Sequence, residues 1–433
     1  LLKFAGSRAP SGGPRVRRRE VPLPLGIMDT ITENVRAMYE AYPYPSHGTA
    51  NIRSDHDVRQ LLSHVERGRQ QAGPLRVLDA GCGRGVGLLG AAALQPDIQF
   101  LGADLNRVAL EEARAEAKRL KLSNVQFQEV DLMTLQGLVV PEGGFDVIHS
   151  SGVLHHLSDP SAGLRRLRDI LAPHGVMAVM LYGKVSRQPL YRLIHASEML
   201  APHSLPIAER IGPSRLLARE MAKTCLLGSP WAGTAVVNDV EYVDRVLNVN
   251  ETSYDIESLW KLLSETKLKF LRFSEPEEWA PEVAQSEKLR EVLAALPEYE
   301  RYRIIEQIAY RHSLLFLVTH ESNTARAPLA LKQIPKSHFA LNPDASISIT
   351  TRHPRGPRRV ERVAFKVRQG NEIEVTSVVA SIVMVLSEQS LPFTGAQMLE
   401  GLAGLGMDAQ ASLEAIAALV QAELLYRPHP TEC

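Results

Sequence analysis

At 433 residues the chain is long enough for two or three folding units of about 150 residues each. It is 45% hydrophobic and 23% charged, enough to bury a sizeable core, and 49 basic residues balance 49 acidic ones, so no net field draws it toward nucleic acid or an acidic membrane. Its three cysteines, Cys82, Cys225 and Cys433, lie far apart, and apolar stretches such as Val378 to Leu386 are about half a membrane span; a disulfide scaffold, a Cys-rich zinc site and a transmembrane protein are set aside, and a reducing cytosol fits.

Residues 1–27 form a basic tail, with Lys3, Arg8, Arg15, Arg17, Arg18 and Arg19 against Glu20 and no apolar core of a secretory signal. A disordered tail is expected, with a transit peptide or an upstream extension as the other readings. From Asp29 a helical pattern carries Val35, Met38 and Tyr39, and it must stop at Tyr42-Pro43-Tyr44-Pro45, because proline cannot continue a helix. A second helix is expected over about 55–70, which makes 28–74 an N-terminal helical lid.

Strands and helices then alternate. LRVLDA reads as a buried strand, GCGRGVG as a glycine turn, GLLGAAALQ as helix, IQFLGAD as strand and RVALEEARAEAKRLK as amphipathic helix. NVQFQEVD, FDVIHSS and GVMAVMLYG are further strands, with the helix SAGLRRLRDIL before the last. Such repetition predicts a doubly wound α/β sheet with parallel strands. Residues 184–250 lose the strand signal and read as a helical insertion broken at Pro189, Pro202, Pro206, Pro213 and Pro230. The pattern resumes with the helix IESLWKLLSETK, the strand LKFLRFSE, a helix over 289–310 and the strand HSLLFLVTH, the last two strands being readable as a hairpin at the sheet edge. This gives a main domain over 75–320. A linker over 321–335 leads to a C-terminal accessory domain over 336–433, with short strands and three helices (375–389, 394–406 and 409–426), a small α+β module of winged-helix type.

The chemistry is concentrated where strands end. Val77-Leu78-Asp79-Ala80-Gly81-Cys82-Gly83-Arg84-Gly85 runs from strand through glycines into a helix, which lets backbone approach a ligand at the sheet's carboxyl edge. Gly85-x-Gly87-x-x-Gly90 also spells a dinucleotide pattern, but its first glycine lies five residues past the strand end. Asp79 discriminates: a pyrophosphate there would meet like charge, whereas the ammonium of a bound amino acid would be paired. Asp104, at the end of the next strand, can accept both hydroxyls of a ribose, and Asp131, at the end of the third, can accept from an adenine amino group. Three acids matched to the parts of S-adenosylmethionine outweigh any single glycine motif.

These residues resemble the class I S-adenosylmethionine-dependent methyltransferases, nearest to the group of ubiquinone- and menaquinone-biosynthesis enzymes. VLDAGCGRG, LGADLN, EVDL, FDVIHSSGVLHHLSDP and LAPHGVMAVMLYG match that group's blocks in order over about 75–183. VRAMYEAYPYP and DRVLNVNETSYDIESLWKLL fit more loosely a bacterial subgroup, which commonly has His where this chain has Asn248. The resemblance implies a Rossmann-like seven-stranded sheet of order 3-2-1-4-5-7-6 and methyl transfer from the sulfonium. It also implies cofactor contacts from Asp79, Gly81, Cys82, Gly83, Gly85, Asp104, Leu105, Asp131, Leu132 and Ser150, with no metal.

In-line methyl transfer mainly needs alignment and exclusion of water, so a dedicated base is optional. His155 and His156 follow the fourth strand, where acceptor and methyl group meet, and are candidate bases or acceptor partners; packing and capping are the other readings. Tyr42 is a third catalytic candidate. Tyr39, Tyr42 and Tyr44 are candidate lid residues, able to place aromatic faces near the sulfonium or simply to pack a helix end. His149 reads as structural, Cys82 as core-facing, and Arg84 as either a partner of the cofactor carboxylate or a solvated side chain. The basic run from Arg352 to Arg368 reads as a solvated strand pair rather than a phosphate patch. The expected function is methyl transfer to an O, N or C nucleophile of a small molecule, with a protein or peptide acceptor, or a silent binding protein on the same fold, as alternatives. A nicotinamide oxidoreductase is disfavoured by Asp79 and by the lack of a Tyr-x-x-x-Lys pair.

Overall fold

A computed structural model describes residues 29–46, 57–69, 73–342, 345–352, 359–367, 371–389 and 392–429. The basic tail and part of the basic run (353–358 and 368) lie outside the described residues.

The central sheet contains β1 (Arg76–Ala80), β2 (Gln99–Asp104), β3 (Val125–Glu129), β4 (Phe145–Ser151), β5 (Leu171–Tyr182), β6 (Leu268–Phe273) and β7 (Ser313–His320), in the order β3-β2-β1-β4-β5-β7-β6. This is the order implied by the family resemblance. β1 to β5 are parallel, whereas β7 runs antiparallel to both β5 and β6. The strands are almost continuously apolar because both faces are covered. Successive residues feed opposite sides: Val77, Val147 and Leu317 enter one core with Val58, Leu88 and Phe100, while Leu78, Ile148 and Phe316 enter the other with Leu164, Leu259 and Ile305.

The helices α1 (Thr30–Ala41), α2 (Val58–Leu62), α3 (Val86–Leu94), α4 (Arg107–Arg119) and α5 (Pro160–Ile170) start at side-chain caps where the sequence supplies them: Asp29, Asp57, Asn106 and Asp159 each accept a backbone N–H of the first turn. α2 is far shorter than the expected helix over 55–70. The chain turns at Ser63, and Val65 instead forms a β-bridge with Ala325. β5 begins at Leu171, directly after α5 and ahead of the expected GVMAVMLYG, by pairing with Phe145 across a register shift.

The insertion comprises α6 (Gln188–Leu200), α7 (Ile207–Lys223), a 3-10 segment over Ser229–Val236 and α8 (Asp239–Val246). Pro213 does not break α7 as expected. The adjacent Ser214 hydroxyl lies 2.6 Å from that of Ser197 and 2.7 Å from that of Tyr242, and this packing offsets the lost backbone bond. Met38 of α1 joins Leu190, Leu193, Trp231 and Tyr242 in one core, so lid helix and insertion form a single cover. After α9 (Ile256–Thr266), the expected helix over 289–310 is two, α10 (Glu287–Ala295) and α11 (Glu298–Ile308), split at Pro297. These helices separate β6 from β7 in sequence, so the expected hairpin is instead an antiparallel pair with β7 slotted between β5 and β6.

The C-terminal part holds β8 (His338–Leu341), β9 (Ser346–Arg352), β10 (Arg359–Val367), β11 (Asn371–Val375), α12 (Ser377–Gln389), β12 (Phe393–Thr394), α13 (Gly395–Gly404), α14 (Ala409–Gln421) and β13 (Leu425–Tyr426). Two three-stranded sheets, β11-β10-β9 and β12-β8-β13, and three helices, the last ending at Gln421 so that Leu425 and Tyr426 form a strand and not the expected end of a helix over 409–426, enclose a separate core with Phe339, Phe365, Val383 and Ile416. A polar cluster joins it to the main sheet: Gln60 donates to Glu423 (2.7 Å), Asn342 donates to Gln60 (2.7 Å), and Arg272 pairs with Glu423. Among the described residues no helix is long and apolar enough to cross a membrane.

Candidate active site

The turn after β1 is built by its own backbone. The N–H groups of Gly81 and Cys82 both donate to Ala103 O (2.7 and 3.1 Å), and that of Gly85 donates to Cys82 O (2.8 Å), strapping the loop across the end of β2. Gly81 sits at φ +88°, and a Cβ there would collide with Val153, so only glycine serves. Gly102 in β2 is glycine for another reason: a Cβ would strike Phe127, Cys82 Sγ and Leu88, which close over it.

This turn lies along a cleft of about 450 Å³ between the sheet edge, the lid and the insertion. Gly81, Cys82, Gly83, Asp104, Leu105, Val130 and Leu132 line one half. Both oxygens of Asp104 are fixed, Oδ2 by Gly83 N–H (2.7 Å) and Oδ1 by Asn106 N–H (2.8 Å), leaving further lone pairs for a diol. Burial pushes the Asp104 carboxyl above its ordinary range, against the pull of those two donors. The donor set suits an elongated nucleoside with an amino-acid tail: carboxylate for the sugar, apolar Leu105 and Leu132 for a base, and backbone for the tail. The cleft volume lies within the range of about 300–1,000 Å³ typical of such sites.

Other expected cofactor residues sit behind the wall. Asp79 is buried at the end of β1 and does not line the cleft, although its negative charge is felt at Asp104 and Cys82. Asp131 accepts from Met133 N–H (2.8 Å) and Thr134 Oγ1 (3.2 Å) in its own turn, and Ser150 Oγ donates to Ala80 O (3.1 Å). Gly85, in the left-handed region, is the residue before α3 and faces Phe127. Cys82 both lines the cleft and packs its sulfur toward Gly102; burial drives its thiol well above the usual range, so no thiolate forms at neutral pH. Arg84 is neither solvated nor in the cleft: it donates to Pro45 O (2.9 Å) and pairs with Glu112 (2.6 Å), clamping turn to lid.

The other half of the cleft is lined by Tyr39, Tyr44, His156, Tyr182, Arg187, Trp231, Glu241, Asp244 and Arg245. His155 and His156 part company. His155 is fully buried, stacked 3.8 Å from the Tyr182 ring, and neither ring nitrogen has a hydrogen-bond partner; burial holds it well below the usual imidazole range, hence neutral. His156 faces the cleft. Its Nδ1 lies 2.7 Å from Asn250 O, an acceptor only, so Nδ1 carries the proton and Nε2 presents a lone pair. That Nε2 is buried and has no hydrogen-bond partner in the protein. Asn250 completes the brace by donating its side-chain amide to the carbonyls of His156 (3.0 Å) and Leu157 (2.9 Å).

Tyr39 donates to Asp244 Oδ1 (2.8 Å) and accepts from Asn248 Nδ2 (3.2 Å), so Asn248 is part of the lid's anchor. Tyr44 lines the cleft half-exposed, its hydroxyl pushed up to about 12 mainly by burial. Tyr42, expected as catalytic, does not reach this cleft: it lines a second cavity with Met38, His203 and Arg210, because the chain leaves helical geometry at that residue. His149 is buried within β4. Arg187, Glu251, Glu241, Asp244 and Arg245 were not singled out by sequence. Their signal is charge in or next to the insertion at positions whose neighbours are buried, such as Asp244 beside Tyr242, Val243 and Val246. Arg187 forks onto Glu251 (2.7 and 2.8 Å) while stacking 3.7 Å over Tyr182, so Tyr182 is held between guanidinium and His155.

Comparison with known proteins agrees with this architecture. A family model described as a methyltransferase domain matches residues 73–210. An uncharacterized protein of Synechococcus sp., syc1184_c, is 30% identical over 299 residues, 64% of this chain and 69% of that one. Trans-aconitate 2-methyltransferase of Methylobacterium radiotolerans is 34% identical over 143 residues (33% of this chain, 51% of the relative), and ubiquinone biosynthesis O-methyltransferase of Dinoroseobacter shibae is 31% identical over 150 residues (34% and 56%). The chain thus spans about half the length of these two enzymes. The structure of PKMT2 from Rickettsia typhi in complex with AdoHcy shares the fold, with a TM-score of 0.63 and 18% identity over 90% of this chain and 78% of that one. With the glycine turn, the Asp104 cradle and the sheet order in place, the chain belongs to the class I S-adenosylmethionine-dependent methyltransferases.

Proposed function

We propose that the chain methylates a protonated heteroatom, O–H or N–H, of a small-molecule acceptor that enters the half of the cleft beside His156. The observation that carries this is the tautomer of His156, a residue that lines the cavity: Nδ1–H is committed to Asn250 O, which leaves Nε2 as the proton acceptor of the ring. Asp104 would take the ribose hydroxyls, the backbone of Gly81 to Gly83 the methionine tail, Leu105 and Leu132 the adenine, and Asp79, from behind the turn, would favour the tail's ammonium through its charge. Asp131 would act through the turn that places Leu132. When bound, S-adenosylmethionine supplies a methyl carbon activated by positive sulfur. The protein's own work is to align the acceptor, exclude water with the lid and insertion, and receive a proton at His156 Nε2.

The test is incubation of purified protein with methyl-labelled S-adenosylmethionine and bacterial lysate, separated into a low-molecular-mass filtrate and retained protein. Label in the filtrate is expected. Label confined to protein would replace the small acceptor with a protein one. Equal turnover by a His156→Ala variant would remove the base.

A further inference from the structure

Among the charged groups that line the acceptor half of the cleft, two carboxylates, Asp244 and Glu241, and one cation, Arg245, have no ion-pair partner among the described residues, which leaves a net negative charge. Asp244 of α8 is nine-tenths buried, its Oδ1 accepts only the Tyr39 hydroxyl, and no basic side chain among the described residues lies within ion-pair distance of it. Glu241 lies one turn earlier on the same helix face. It accepts from Ser46 N–H (3.3 Å) and Oγ (3.0 Å) and likewise has no cation partner among the described residues. Two cations line the same half of the cleft, Arg187 and Arg245, and only Arg187 is paired. Arg187 is neutralised by both oxygens of Glu251, which also accepts from Tyr191 (2.8 Å). Arg245, one residue on and therefore about 100° round the helix, lies against Trp231 at 5.9 Å and Thr234 at 3.4 Å. Tyr39, Tyr44 and His156 line the same space, and His156, more than nine-tenths buried, has no hydrogen-bond partner at Nε2.

An isolated buried carboxylate is costly, and a second one on the same face adds repulsion. Burial above all pushes the Asp244 carboxyl upward, against the pull of His156 and the Tyr39 hydroxyl, with Glu241 and Glu251 adding to the rise. A cation entering the cleft relieves both costs; an anion aggravates them; a neutral hydroxyl can donate one hydrogen bond but leaves the charge repulsion in place. We propose that the acceptor is a primary aliphatic amine, held as an ammonium by Asp244 and Glu241 between Tyr39 and Tyr44, and deprotonated by Nε2 of His156. This rests on the methyl-transfer reading above and narrows it. One ammonium proton passes to Nε2; the nitrogen lone pair forms the new N–C bond as the S–C bond breaks with its pair going to sulfur. The products are a secondary ammonium and a neutral thioether, and the imidazolium returns its proton to solvent.

Protein saturated with S-adenosylhomocysteine, whose own affinity is measured first, is titrated with n-butylamine, n-butanol and n-butyrate. Butylamine is expected to bind at least tenfold tighter than the other two. Asp244→Asn is expected to weaken it at least tenfold while S-adenosylhomocysteine affinity stays within a factor of three; should that variant not fold, Glu241→Gln makes the same comparison with a several-fold loss. Butyrate binding as tightly as butylamine, no butylamine binding, or an unaffected variant overturns the amine assignment. Failure to bind S-adenosylhomocysteine at all would instead strike the methyl-transfer reading. Turnover with cadaverine and with a lysine-containing peptide then separates a free amine from a side chain, and label in neither overturns the proposal.

Discussion

The Tyr39 hydroxyl donates to Asp244 Oδ1 at 2.8 Å across 205 positions of sequence, and this bond fastens the lid helix to the insertion directly over the cleft. Asn106 Nδ2, donating to Tyr39 O at 2.8 Å, and Asn238 Nδ2, donating to Ser46 Oγ at 2.8 Å, support the same closure. Tyr39→Phe removes the donor and leaves a buried carboxylate oxygen unmet, a loss of about 1–3 kcal/mol. Thermal melts should show the cost as a drop of a few degrees, and the drop should persist with S-adenosylmethionine bound. An unchanged melting temperature would mean that the lid is held elsewhere.

The carboxylates along the sheet edge should not contribute equally. Asp104 faces the cleft with both oxygens aimed by backbone donors, whereas Asp79 lies behind the turn and Asp131 is engaged in its own. Losing one charge-assisted hydrogen bond costs about 1.5–3 kcal/mol, or roughly ten- to a hundredfold in affinity. Calorimetry with S-adenosylmethionine should therefore rank Asp104→Asn as the most damaging change, then Asp79→Asn, then Asp131→Asn. If Asp131→Asn proves the worst, the adenine end has been misplaced.

His156→Gln should lower kcat by about 10²–10⁴-fold, the usual worth of a positioned base, with little change in cofactor affinity. His155→Gln should differ in kind. It removes the ring stacked on Tyr182 and so should lower stability along with activity. Equal effects on both readouts for both variants would contradict the division of labour between the two histidines.

Gly102→Ala places a methyl group where Phe127, Cys82 Sγ and Leu88 already meet, and overpacking of this sort costs about 1–3 kcal/mol. The sulfur belongs to the turn, so the expected outcome is a joint loss of stability and cofactor affinity. Retained affinity in a destabilised variant would show that the turn can shift independently of β2.

Glu306 is buried under α9, where it accepts Ile256 N–H at 3.0 Å, and burial raises its carboxyl to about 7. A carboxyl raised in the folded state favours folding while protonated. Its contribution is therefore full below the ordinary range near 4.5 and is lost as the pH rises toward 7. Glu306→Gln keeps an acceptor for Ile256 and cannot ionise. Relative to the parent it should melt at about the same temperature at pH 5 and a few degrees higher at pH 8; the reverse order would refute the sign.

The glycine turn and Asp104 were legible because strand, turn and helix lie within a few residues, where local pattern and local geometry coincide. The sheet order came through family resemblance, since no spacing rule says that β7 enters beside β5. The acceptor half was legible only in part: Tyr39, Tyr44 and His156 were named from the sequence, whereas Tyr182, Arg187, Glu241 and Asp244 were not. It is assembled from Tyr39, His156, Tyr182 and Asp244, which no local periodicity links. Tyr42 shows the limit of helical spacing: three residues after Tyr39 it should share a face, but α1 ends at Ala41 and the backbone at Tyr42 (φ -130°, ψ 75°) turns it toward the second cavity. Pro213 shows the opposite limit, a breaker overruled by tertiary hydrogen bonds.

Arg84 grips Pro45 in the lid and Glu112 on α4 while its own backbone belongs to the glycine turn. Any outward swing of the Tyr-Pro segment therefore pulls on the glycine turn, the loop proposed to hold the cofactor's tail. On the proposed placement of cofactor and acceptor, departure of the spent thioether and of the methylated product is therefore expected to share one opening event.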